Sequence, residues 1–574
     1  MDGHDAALRL DGGRPATAQR PSSVVGRRSL WLLPLAFLAL FYFYPLVAIL
    51  RQALMPAGTP DLEGLRKLVS TPVYARTLGF TVYQATLSTL VTVILGLPGA
   101  YVFARYDFPG KALLRALTTV PFVLPTLVVA TAFTALVGPR GVLNQALVNL
   151  LGLEAPPIRL MNTLTLIVIA HVFYNYTLIL RIVGNFWANL DPRIEEAARV
   201  LGAGRWRAFW HVTLPLLMPA VLAAALLVFI FDFTSFGVVL ILGGPRFATL
   251  EVEIYRQTVD LFNLPLAAAL ALVQILFTFA LMALYTRLQA RLAVPLELRP
   301  QRLTQRRPVT WRARLFVTAN LALMIALLLL PLAALVARSF STSAGLGIAY
   351  YRELFINRTG SVFFVPPIEA MRNSLLVAGA TVGLALILGL LAADMLARPG
   401  RLSAWLDPVF LLPLGTSAVT LGFGYILALD EPPLNLRASP WLLPLAHTLV
   451  ALPFVVRSLL PVLRGIQPHL REAAAVLGAS PWRVWREVDL PITSRAVLVG
   501  AVFAFTVSLG EFGATALIVR PQFPTMPVAI YRFLGQPGEL NYGQALAMSA
   551  LLSLVTGVGI LVIERARYGG MGEF

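Results

Sequence analysis

Two stretches, EAARVLGAGRWRAFWHVTLP at 196 to 215 and EAAAVLGASPWRVWREVDLP at 472 to 491, decide the architecture, because they are the same pattern placed 276 residues apart. Both fit E-A-A-x3-G-x9-V-x-L-P. Asp191-Pro192 and Gln467-Pro468 stand just ahead of them, so each run reads as a short helix with Glu196 or Glu472 near its start, where an acid suits the helix dipole. Ala197, Ala198, Ala473 and Ala474 leave a smooth face that another surface can approach. Gly202 and Gly478 permit a turn with positive φ, and a second helix follows. Leu214-Pro215 and Leu490-Pro491 then mark entry into long apolar runs.

Those runs set the fold class. Of 574 residues 58% are hydrophobic and 13% charged, against roughly 25% charged in soluble domains. Runs of about 20 apolar residues, enough to cross a hydrocarbon core, recur near 30–50, 79–103, 113–137, 162–180, 219–241 and 265–286. A second set falls near 315–337, 374–397, 408–429, 441–456, 495–519 and 543–563. The expectation is an all-α membrane protein of about 12 spans.

The shift of 276 extends without a gap from His171 to Arg256 and places His171 on His447, Trp206 on Trp482, Phe236 on Phe512 and Tyr255 on Tyr531. Upstream the register drifts, with Arg76 on Arg372 at 296 and Pro125 on Pro413 at 288. Six is even, so the two units enter the membrane in one orientation as parallel repeats. The expected boundaries are a basic tail at 1–28, a first unit at 29–287, an arginine-rich linker at 288–314 and a second unit at 315–574.

The formal charge of +18 collects at span ends and in connecting segments, as the positive-inside effect requires, so nucleic acid is not expected as a partner. With Arg105 to Arg115, Arg181 to Arg207, Arg398 to Arg401 and Arg457 to Arg486 on the inside, both termini are expected in the cytoplasm. The apolar run Leu30 to Leu50 is longer than a usual signal h-region and lacks a clear cleavage site, which makes it an anchor. The absence of cysteine excludes disulfides and thiolate sites. Neither lysine, Lys67 or Lys111, sits in a G-x-x-x-x-G-K-[ST] loop, so the chain lacks that means of holding ATP.

Ionisable residues inside spans cost about 2.5 to 3.5 kcal/mol on insertion scales and are functional candidates by default. Asp232 in FDFTSFG and Glu511 in SLGEFGA are related by the repeat, which sets Asp232 opposite Ser508 and Ser235 opposite Glu511. The carboxylates read either as a hydrogen-bonded lock between the halves or as contacts for cargo. His171 and His447 read first as packing and hydrogen-bonding residues, with Asn175 nearby, and they stand with Asp232, Ser235, Ser508 and Glu511 as candidates for the translocation pathway; a metal site built from the two histidines and two carboxylates is a further reading. Prolines 125, 219, 265, 413 and 453 are ordinary kink and packing elements.

The duplicated E-A-A signature resembles that of binding-protein-dependent ABC importer permeases. The resemblance implies a type I importer permease fold in the cytoplasmic membrane, with both transmembrane units fused in one non-enzymatic chain that needs no cofactor. It implies that the two segments are coupling helices, docking one each into two separate ATP-binding cassette subunits, and that a solute-binding protein delivers cargo from outside. FTSFGVVLILGGPRFATLEVEIYRQ at 233–257 and SLGEFGATALIVRPQFPTMPVAIYRFLG at 508–535 are similar to ferric iron and thiamine permeases, and SLGEFGA also to sulfate and molybdate permeases. An ion-coupled secondary transporter gives no reason for the repeated signature. A lipid-modifying membrane enzyme calls for an acidic cluster such as D-D-x-x-D, which does not occur.

Overall fold

The computed structural model describes residues 29–56, 58–292, 305–342, 345–357, 365–398, 400–430, 432 and 434–568. The tail expected over 1–28 lies outside them, as does 293–304 of the linker. Apart from one pair of two-residue strands, Ser341–Thr342 and Gly345–Leu346, the described regular structure is helical.

Eleven described helices are long and apolar enough to cross a bilayer, or twelve if the bent pair Arg401–Gly415 and Ala418–Leu429 counts as one. Spans one, two and four are Leu32–Leu54, Pro72–Arg105 and Leu164–Asn189, and their counterparts seven, eight and ten are Trp311–Ser339, Pro367–Ala397 and Leu442–Gly465. Spans six and twelve are Leu264–Gln289 and Glu539–Ile563.

Two pairs of spans depart from the continuous helices expected. The third is broken into Lys111–Val123 and Thr126–Val137, with Leu124 and Pro125 extended between them. Proline supplies no N–H and pushes the residue before it out of the helical region. In the second unit the break falls at Thr416 and Ser417, after a 3₁₀ turn holding Pro413, and the two arms meet at 97°. The fifth and eleventh spans, expected at 219–241 and 495–519, run instead as Arg205–Phe233 and Pro481–Gly510. Each grows directly out of the segment bearing the signature, through a π turn at Phe209–Thr213 or Trp485–Asp489, and stops at the acidic motif. Short helices Gly237–Leu242 and Gly513–Ile518 follow the break.

The structure also corrects the early register of the repeat. Thr81 Oγ1 accepts from the Leu250 amide at 3.0 Å, and Ser374 Oγ accepts from the Met526 amide at 2.7 Å. Leu250 and Met526 are 276 apart, so Thr81 and Ser374 correspond, a shift of 293 where the arginines suggested 296. The broken third spans correspond at 292, so Pro125 faces Ser417, not Pro413.

The two units interlock. Span one packs on Ala418–Leu429 of the other unit, and span seven packs on Thr126–Val137. The approach at Gly424 is close enough that a Cβ there would lie 2.9 Å from Pro45 Cβ. Tyr42 and Thr416 share a hydrogen bond of 2.7 Å across the same seam. Beyond 304 the linker is held too: the Arg306 amide donates to the Arg105 carbonyl at 3.0 Å and its guanidinium lies over the Tyr106 ring.

Candidate functional site

The signature segments fold alike. Pro192–Val200 and Pro468–Val476 are helices entered through Asp191 and Gln467, and Asp191 caps the first by accepting from the Arg193 amide at 3.0 Å. Each ends in a Schellman turn: Gly202 (φ 93°) and Gly478 (φ 82°) take the left-handed conformation, Ala203 donates to the Ala198 carbonyl and Ala479 to that of Ala474. This turn pushes two apolar side chains into the open. Val200 and Leu201 are each 88% exposed, and Val476 and Leu477 each 87%. Glu196, Glu472, Ala197 and Ala473 are exposed beside them, whereas Ala198 and Ala474 are half-buried.

A polar tie fixes each helix to the foot of the next span. In the first unit the Thr213 hydroxyl donates to Glu195 at 3.3 Å; in the second, Arg471 pairs with Asp489 at 2.7 Å. These are equivalent positions, 276 residues apart, with the chemistry exchanged. Leu214 and Leu490 are half-buried where the π turn meets the span, and Pro215 and Pro491 follow them.

Deeper in, the breaks after spans five and eleven each gather one histidine and one carboxylate. His171 sits 3.0 Å from Ser88 through Nδ1 and 2.8 Å from Ser235 through Nε2, with Asp232 Oδ1 3.6 Å from Nδ1. Asn175 donates to Asp232 Oδ1 at 2.7 Å, and Gln84 donates to the Asp232 carbonyl, freed by the helix end, at 2.8 Å. In the second unit His447 contacts Ser508 through Nδ1 and Thr515 through Nε2, both at 2.8 Å, with Glu511 3.3 Å from Nε2. Glu511 also caps the short helix beyond the break, accepting from the Ala514 and Thr515 amides at 2.9 and 3.0 Å and from the Thr515 hydroxyl.

The carboxylates are therefore not a lock between the halves: each closes a network within its own unit. Among the described residues no three His, Cys, Asp or Glu gather in a way that would hold a metal, so the four do not form one centre. A further polar contact between the halves, beside that of Tyr42 with Thr416, comes from Glu251, fully buried, which accepts from Ser417 of the other unit at 2.5 Å and from Gln274.

Between the units lies a cavity of about 370 Å³, within the roughly 300–1,000 Å³ common for small-molecule sites. His171, Asp232, Ser235 and Glu511 reach its wall. At this junction Phe236 stacks on Phe512 across the repeat, 5.4 Å apart and 19° from parallel. Tyr255 and Tyr531 flank them at 5.3 and 5.4 Å.

The sequence pattern of the family described as binding-protein-dependent transport system inner membrane component matches residues 92–294 and again 385–567. The chain belongs to this family of ABC importer permeases. The permease is similar to a probable ABC transporter permease protein, y4fN, of Sinorhizobium fredii, at 28% identity over 549 residues covering 93% of this chain and 95% of that one. It is 27% identical to the thiamine transport system permease protein ThiP of Escherichia coli over 473 residues, 79% of this chain and 83% of ThiP. The putative 2-aminoethylphosphonate transport system permease protein PhnU of Salmonella paratyphi A is 30% identical over 270 residues, which cover 47% of the permease and 93% of PhnU.

Reading the sequence alone misses several residues that shape these sites. Val200-Leu201 and Val476-Leu477 stand in both copies of the signature, and their recurrence beside the glycine was the available signal. Ser88 and Thr381 are small polar residues on apolar helices, and nothing in the sequence pairs them with the His171 and His447 networks. Glu251 reads as a loop acid, because only the fold brings Ser417 and Gln274 to it.

Proposed function

We propose that the permease forms the translocation path of an ATP-driven importer, with one separate ATPase subunit seated on each signature segment and a solute-binding protein meeting the opposite face. The carrying observation is the pair of matching exposed apolar tips, Val200-Leu201 and Val476-Leu477, on helices tied to the feet of spans five and eleven. A movement imposed on either tip passes through an unbroken helix to the break at Asp232 or Glu511, where the cavity lies. ATP-driven closure of the ATPase pair would thus bias the two units between alternative arrangements. The basic segments, including the signature, face the cytoplasm in this reading, and both termini lie there.

Thiamine is the favoured cargo over ferric iron, phosphonates, sulfate and molybdate. ThiP matches along most of the permease, whereas PhnU matches 47% of it, and none of the residues lining the cavity is Arg or Lys. Native mass spectrometry of the complex purified with its cognate ATPase tests the architecture: one permease with two ATPase subunits is expected. A complex with a single ATPase, or none, contradicts it.

A further inference from the structure

At the ends opposite the signature segments the two units follow one pattern but finish differently. In the first unit Gly244 takes a left-handed conformation (φ 62°), and Asn162 lies so close that a Cβ on Gly244 would meet Asn162 Oδ1 at 2.5 Å. The shift of 276 puts Arg520 in the place of Gly244, Ala438 in that of Asn162 and Arg437 in that of Met161. The second unit thus has no carboxamide at this spot, and a pocket of about 590 Å³ lies there. Leu443, Ile518 and Phe523 give it an apolar floor, while Arg437, Arg520 and Gln522 stand exposed at its rim.

The pocket and the second signature helix belong to opposite membrane faces. Leu443 stands at the start of span ten, and the signature helix Pro468–Val476 follows the other end of that span, after 24 residues of helix rising about 1.5 Å each. Arg437 is paired with Asp430, so the charge left over is that of Arg520, whose guanidinium has no ion pair among the described residues. A guanidinium stays charged at any working pH. An apolar floor beneath a free guanidinium fits a carboxylate carried on a short carbon stem. Ile518 also ends the short helix Gly513–Ile518, whose first amides Glu511 accepts, so an occupant of the pocket rests on the far end of the element that closes the His447 network.

We propose that this pocket seats an acidic side chain of the solute-binding protein and fixes which way round that protein sits. Two related units present a single partner with two docking orientations about the repeat axis, and a basic pocket on the second unit alone removes that ambiguity. The site rests on the importer reading and names the contact through which the partner is held.

Affinity of the purified cognate solute-binding protein for the full permease in nanodiscs of zwitterionic lipid tests this. Arg520→Glu is expected to weaken binding by about tenfold or more and to flatten its salt dependence, and Arg520→Gly, the residue of the first unit, by about threefold or more. Arg76→Glu, a reversal near the start of span two on the same face, should stay within about twofold. Because the chain has no cysteine, Gln522→Cys and, at the equivalent place in the first unit, Arg246→Cys can each carry a photocrosslinker, and they are expected to capture different peptides of the partner. The same peptides from both positions, or parental affinity in Arg520→Glu, overturns the site. A defect in Arg520→Glu that appears only when anionic lipid is added assigns the pocket to a headgroup and overturns it as well. Co-elution of the ATPase, which also shows that the variants are folded, is scored separately: if it persists while affinity ignores Arg520, the pocket is lost and the importer reading stands, whereas a parent that binds neither partner overturns both.

Discussion

Changing Leu201 and Leu477 together to Asp is expected to strip the ATPase subunits from the permease and abolish ATP-driven uptake, with the melting temperature unaltered. Both side chains project from a Schellman turn with most of their surface in the open, 88% and 87%, so the folded chain loses almost no contact when they change. Exposed substitutions of this kind stay within about 0.5 kcal/mol of the parent in stability. At an interface they behave differently. An apolar anchor seated in a partner's pocket contributes about 2 kcal/mol or more, and a buried unpaired charge adds a further penalty, so each substitution should weaken docking by about 30-fold or more. The single variants report on symmetry: each should release one ATPase and spare the other. Co-purification at parental levels by the double variant would place the docking surface elsewhere.

Glu511→Ala has the second large effect, and it falls on stability. The carboxylate accepts two amides and the Thr515 hydroxyl while facing His447, all in a buried place. Removing it leaves these donors without an acceptor where water does not replace it, a loss of about 3–5 kcal/mol. Glu511→Gln keeps one acceptor oxygen and should lose about half as much. Thermal unfolding in detergent micelles checks both, and an alanine variant as stable as the parent would show that the cap after span eleven contributes little. Ser235 holds the same position in the first unit, where Asp232 supplies the carboxylate one turn earlier. The two networks thus reach the same end, a histidine joined to a broken helix, by different residues.

How much of this was legible depends on what each signal measures. The duplicated signature fixed the family and the repeat, because spacing between charged, small and turn-forming residues survives in the sequence whatever the surroundings. Hydropathy placed the spans but not their breaks: FDFTSFG and SLGEFGA are apolar enough to average as membrane, while continuity of the backbone hydrogen bonds is a property of φ and ψ at Thr234 and Glu511. The register error upstream has a similar origin. Arg76 and Arg372 look alike but the functional equivalence belongs to Thr81 and Ser374, whose identical hydrogen bonds exist only in three dimensions. Leu201 and Leu477 are not legible in the sequence, because an apolar residue on a short helix ordinarily points inward, and only the turn geometry exposes them.

Uptake in sealed proteoliposomes separates an ATP-driven importer from an ion-coupled carrier, with the permease, its ATPase and its solute-binding protein reconstituted together and radiolabelled thiamine offered on the binding-protein side. The expected result is accumulation that requires internal ATP, requires the binding protein, persists when ion gradients are collapsed, and disappears in the Leu201→Asp, Leu477→Asp double variant. Uptake that proceeds without ATP and follows an imposed proton or sodium gradient would contradict it and make the chain a secondary transporter.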